Sequence, residues 1–133
     1  MPEPIHQEVT FAANAQAVYE ALTDAKQFSE LTQAPAEIDP APGGALSLFG
    51  GVISGETIEA VPGERLIQAW RVANWEPHIT SVIKFEFKSL GPNETKLIFE
   101  HAGFPQEHRD HLEEGWHSRY WTPLKAHLEA RRR

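Results

Sequence analysis

Seven histidines occur in the 133-residue chain, and His101, His108, His111 and His117 fall close together. His108 and His111, three apart, would share one helix face. Glu107, Asp110, Glu113 and Glu114 surround them with carboxylates, so both donor types of a metal site are at hand. The segment has no His-Glu-x-x-His pattern and carries charges of both signs, so a solvated helix start is the better reading. The six serines, at positions 29, 47, 54, 81, 89 and 118, include no Gly-x-Ser-x-Gly elbow that would expose an activated hydroxyl. Paired glycines lie between strand-like runs rather than ahead of a helix, which leaves phosphate without a cradle. Glu113 and Glu114 are adjacent on a helix and point apart. No catalytic residue, metal or cofactor is expected on this basis.

The polar minority on otherwise apolar faces is more informative. In the run Ile79 to Leu90, Ile83, Phe85 and Phe87 share one face and Lys84, Glu86 and Lys88 the other, which places Ser81 with the apolar set. The same alternation puts Gln68 with Leu66 and Trp70, and His101 with Leu97 and Phe99. Each of the three polar residues could hold a ligand's polar group in an apolar cavity, or bond backbone or buried water. Phe49, Trp70, Phe85, Phe87, Trp116 and Tyr120 would line such a cavity or fill it. An enzyme built here would use His101 as base, with Tyr120 or Ser81 as polarising donor.

These side chains need elements to position them. Ile5 to Ala12 alternates as a strand. Asn14 caps a helix over Ala15 to Thr23, and a second helix covers Ala25 to Thr32, ending before Pro35. Turn signals at Gly43-Gly44, Gly50-Gly51, Pro62-Gly63 and Gly91-Pro92-Asn93 separate strands over Ala45 to Phe49, Val52 to Ala60, Arg65 to Val72, Ile79 to Leu90 and Glu94 to His101. Leu112, Trp116, Tyr120, Leu124 and Leu128 then form the stripe of a long helix, from about Glu107 to Ala130, which Pro123 should kink. The pattern predicts one α+β domain over residues 1–133, a curved antiparallel sheet of about six strands gripping the C-terminal helix.

Composition narrows the partners. Nineteen acidic against 12 basic residues give a net charge of −7, which disfavours nucleic acid. Cysteine is absent, so disulfides and thiolate metal sites are excluded. No run approaches the ~20 apolar residues of a membrane span. Met1-Pro2-Glu3-Pro4 does not open a signal peptide, and a cytoplasmic location is expected.

The segments Leu31-Thr32-Gln33-Ala34-Pro35-Ala36, Gly43-Gly44, Val52 with Ser54-Gly55-Glu56, Val61-Pro62, Trp70-Arg71, Trp75, Gly115-Trp116, Tyr120 and Leu124-Lys125 occur in an order and spacing that resemble a known family. The chain is similar to the C-terminal domain of the activators of heat shock protein 90 ATPase, within the START-like (SRPBCC) superfamily with its helix-grip fold. The resemblance covers nearly the whole chain. It implies a non-catalytic domain that contacts a chaperone of the heat shock protein 90 type. The superfamily alternatively implies a small apolar ligand held between sheet and helix. No catalytic residue is shared by the family for transfer to a position here. The Trp75-Glu76-Pro77-His78 segment, taken as an exposed loop, nominates Trp75 and His78 as partner contacts; the alternative is a Trp75 folded back to close the cavity mouth.

Overall fold

A computed structural model describes residues 4–76 and 79–131. Its strands are β1 (Ile5–Phe11), β2 (Glu37–Ile38), β3 (Ala45–Leu48), β4 (Ile53–Val61), β5 (Arg65–Val72), β6 (Ser81–Gly91) and β7 (Glu94–Ala102). They make one antiparallel sheet in the order β1-β7-β6-β5-β4-β3-β2. The sheet has seven strands rather than six. The addition is β2, whose two residues pair with β3 through Glu37↔Ser47 and Ile38↔Leu46.

Alternation fixes which face is covered. Ser81, Ile83, Phe85 and Phe87 of β6 are buried, as are Leu66, Gln68 and Trp70 of β5 and Thr95, Leu97, Phe99 and His101 of β7. The opposite face carries charge ladders, with Lys96 Nζ 2.7 Å from a Glu8 oxygen and Lys84 Nζ 3.2 Å from Glu86. The sheet therefore has a single buried face.

Two short helices, α1 (Ala15–Thr23) and α2 (Ala25–Thr32), cover one part of that face. The Asn14 side chain accepts from the Ala17 N–H at 2.8 Å and Asp24 accepts from Lys26 at 3.1 Å, so each helix starts on a side-chain cap. Tyr19 of α1 meets Phe87 edge-on, and Phe28 of α2 meets Tyr120 at 5.3 Å between ring centroids.

The long C-terminal helix is not uniform. A 3₁₀ turn (Gln106–His108) leads into α3 (Arg109–Gly115), a π-helical segment (Trp116–Trp121) and α4 (Thr122–Arg131). The N–H of Thr122 bonds to the carbonyl of His117, five residues back. Pro123 has no N–H to donate, and its ring would press on the carbonyl four residues before it in a regular helix. A wider turn just ahead of Pro123 relieves that pressure. The expected kink thus takes the form of a π turn. Its extra residue turns Trp116, Tyr120 and Trp121 all inward, and each is at most 4% exposed.

Candidate functional site

At the centre of the covered face the polar residues engage one another. Trp116 Nε1–H donates to His101 Nδ1 at 3.2 Å. That bond makes Nε2 the protonated nitrogen, which donates to Ser81 Oγ at 2.8 Å. The Ser81 hydroxyl in turn donates to the Trp70 carbonyl at 3.2 Å, and Trp70 Nε1–H donates to Gln68 Oε1 at 2.9 Å. The chain is closed at every step. His101 is fully enclosed, and burial pushes its pKa down to about 3, so the ring is neutral. Burial also raises the Tyr120 phenol well above its ordinary value.

Aromatic rings pack around this chain. Trp116 stacks on Trp70 at 5.0 Å and 20° and on Trp121 at 5.5 Å and 21°, with Phe99 4.2 Å away. Phe85 meets both Phe99 and Trp116. Phe87 packs farther along against Tyr19.

A cleft of about 130 Å³ opens where α3 and the π segment pass the ends of β4 and β5. Phe49, Trp70 and Trp75 wall it on the sheet side, and Leu112, Trp116 and Tyr120 on the helix side. Asn74, His108, His111 and Arg119 form its polar part. Phe49 sits there with a left-handed backbone, φ 54°, a conformation costly for a bulky residue. Edge and tilted contacts with Phe28 and Tyr120, at 5.9 and 6.1 Å, hold its ring in place.

The structure thus divides the sequence-nominated residues. Phe49, Trp70, Trp116 and Tyr120 line the cleft, whereas Gln68, Ser81, Phe85, Phe87 and His101 lie in the packed interior beside it. Of the two arrangements open to Trp75, the exposed contact is not the one found: it is only 5% exposed and folds back as a cleft wall. The Arg71 guanidinium causes this by donating to the carbonyls of Val72 (3.0 Å) and Trp75 (2.7 Å), which clasps the loop after β5. His78 lies outside the described residues. His108 and His111 meet at the cleft, and no group of three or more metal-ligating side chains occurs among the described residues.

Gln7 and Trp121 escaped sequence reasoning. Trp121 Nε1–H donates to Gln7 Oε1 at 2.6 Å, while Gln7 Nε2 donates to the Glu113 carbonyl at 3.3 Å. The Gln7 amide thereby ties β1 to the helix on either side of Trp116. The parity that flagged Gln68 was present in β1 too, since Gln7 shares its face with Ile5, Val9 and Phe11.

Gly115 also lines the cleft. Its backbone is ordinary right-handed helix, φ −61° and ψ −35°, and an added Cβ would meet nothing within 4 Å. The helix gains nothing from glycine there. Gly115→Ala is expected to raise unfolding free energy by about 0.5–1 kcal/mol in a urea melt.

A sheet closed over a C-terminal helix, with an interior of rings around a self-satisfied polar chain, defines a helix-grip domain of the START-like class. The family described as activator of Hsp90 ATPase homolog 1-like protein matches residues 12–129, and the chain belongs to it. The chain is 25% identical over 125 residues to the activator of 90 kDa heat shock protein ATPase homolog 2 of Mus musculus, a match covering 94% of this chain and 38% of that protein. It is 27% identical over 106 residues to the corresponding homolog of Dictyostelium discoideum, covering 80% of this chain and 28% of that one. The chain therefore spans well under half the length of these relatives. Among solved structures, an HSP90 activator from Plasmodium falciparum shares the fold with a TM-score of 0.89 and 24% identity, over 96% of this chain and 97% of that one. No described helix is long and apolar enough to cross a membrane.

Proposed function

We propose that the chain acts by protein contact, as a co-chaperone-like binding domain for a chaperone of the heat shock protein 90 type in the cytoplasm. The match of residues 12–129 to a family of that chaperone's activators carries this reading. Catalysis by the interior is disfavoured on chemical grounds. Both ring nitrogens of His101 are committed to hydrogen bonds, so its one lone pair already accepts from Trp116 and has no substrate proton to take. Carriage of a lipid-sized molecule is disfavoured by size, since the cleft of about 130 Å³ is well below the roughly 300 Å³ at which pockets for drug-sized ligands begin.

Contact alone can stimulate an ATPase. A partner that binds the hydrolysis-competent conformation more tightly than the open one shifts the population towards it, by as much as the two affinities differ. A net charge of −7 steers the domain towards a basic surface, and that attraction weakens with salt.

Calorimetric titration against the chaperone of the same organism tests the reading. Binding is expected at low ionic strength, tighter with ATP than with ADP and weaker as salt rises. Failure to bind with either nucleotide at low salt would overturn it.

A further inference from the structure

We propose that the cleft between the helix and the ends of β4 and β5 binds a single-ring aromatic carboxylate, its ring against Trp70, Trp116 and Tyr120 and its carboxylate at Arg119. This goes beyond chaperone contact and is independent of it.

Size selects the ring. The cleft holds about 130 Å³. An apolar cavity of roughly 150 Å³ in another protein takes up benzene, so one ring is the right order of occupant and a fatty chain is not. Half of the lining residues carry rings, and Trp70 and Trp116, stacked on each other, form one continuous aromatic wall that suits a flat occupant. The Tyr120 phenol on the same wall has no hydrogen-bond partner among the described residues and offers a donor.

Charge selects the carboxylate. The protein has 19 acidic residues, yet none of those described lines the cleft, where Arg119, His108 and His111 stand instead. Three other arginines are engaged: Arg65 with Glu59, Arg71 with two carbonyls, and Arg109 with Glu113 at 3.0 Å. Arg119 is exposed at the cleft and has no ion-pair or hydrogen-bond partner among the described residues. A guanidinium beside an apolar slot suits a planar carboxylate, which it can bind through two parallel N–H donors.

Gly115 supplies a second, independent sign. It lies on the cleft wall between Leu112 and Trp116, in a helical conformation that favours alanine over glycine. Open space lies where its side chain would be. Any larger residue there would reduce the space for a ring.

The test uses benzoate and phenylacetate as probes, with toluene as the uncharged control and hexanoate as the ringless one, followed by tryptophan fluorescence and calorimetry. At least one aromatic carboxylate is expected to bind saturably, one per chain, with a Kd below about 1 mM, and both controls roughly tenfold or more weaker. Arg119→Gln, an exposed change, should weaken binding roughly tenfold or more by removing a charged hydrogen-bond donor. Gly115→Leu should abolish it by filling the slot. Urea melts establish that each variant is folded, and Arg119→Gln decides alone if Gly115→Leu is not. Absence of saturable binding by both aromatic carboxylates would overturn the proposal. So would affinity unchanged by Arg119→Gln, or hexanoate binding as tightly as the aromatic probes.

Discussion

Trp116→Ala is expected to lower the free energy of unfolding by about 3–5 kcal/mol, the range for emptying a large buried aromatic site. Trp116 is 3% exposed and stacks on both Trp70 and Trp121, so its removal opens a void between helix and sheet. The indole also donates to His101 Nδ1, and alanine leaves that acceptor enclosed without its donor. Domains of ordinary stability unfold at a cost of about 5–15 kcal/mol, so this one substitution would consume a large fraction of the total. Trp116→Phe separates the two contributions. Phenylalanine retains much of the ring packing but cannot donate, and is expected to cost about 1–3 kcal/mol. Urea denaturation of both variants provides the check. An unchanged midpoint for Trp116→Ala would mean that the helix is not docked through this ring.

That docking was legible in the sequence because it rests on simple periods. Period-two alternation placed Ser81, Gln68 and His101 on the buried face, and the stripe through Leu112, Trp116, Tyr120 and Leu124 identified the helix that covers them. A cap and a proline made the start of α1 and the end of α2 readable, since Asn14 and Pro35 act locally. What escaped depends on tertiary geometry. A two-residue strand such as β2 is too short to have a period, and only pairing with β3 defines it. Trp121 stands one position off the helical stripe, and the inserted residue of the π turn is what brings it inward. The sequence leaves Trp75 either exposed in its loop or folded back, and the Arg71 guanidinium clasping its carbonyl is visible only in the tertiary structure. The polar residues of the covered face were found, but their partners were not. Sequence parity says which side of a sheet a residue is on, whereas the distance from Ser81 to His101 depends on how β6 and β7 pair, through Ile83↔His101.

Stability should fall with acid more steeply in the native protein than in a variant without the His101 imidazole. Burial holds the folded pKa of His101 at about 3, against an ordinary value of 6.5. Above pH 6.5 the ring is neutral in both folded and unfolded chains, and its contribution is fully present. Below that, the unfolded chain takes up a proton that the folded one refuses, so unfolding becomes easier by about 1.4 kcal/mol per pH unit until the folded pKa is reached. Between pH 6.5 and 5 this one residue should remove about 2 kcal/mol. Two other groups bound the useful window. Glu8, held down to about 2 chiefly by Lys96 with help from His6, adds acid sensitivity of the same sign, but only as pH falls through the ordinary carboxylate range. His6 has a raised pKa, chiefly from its hydrogen bond to Glu8, and acts in the opposite direction; it is exposed and screened, so its effect is small. Their contributions are common to both proteins and cancel in the comparison. His101→Gln retains an amide donor that can reach Ser81 but has no proton to gain. It is expected to be less stable at pH 7 and to lose less stability between pH 6.5 and 5, the difference in slope being about 1.4 kcal/mol per unit. Urea midpoints measured at half-unit intervals read that difference directly. Equal slopes would mean that the folded protein admits the proton at His101, which a ring enclosed between Ser81 and Trp116 should not do.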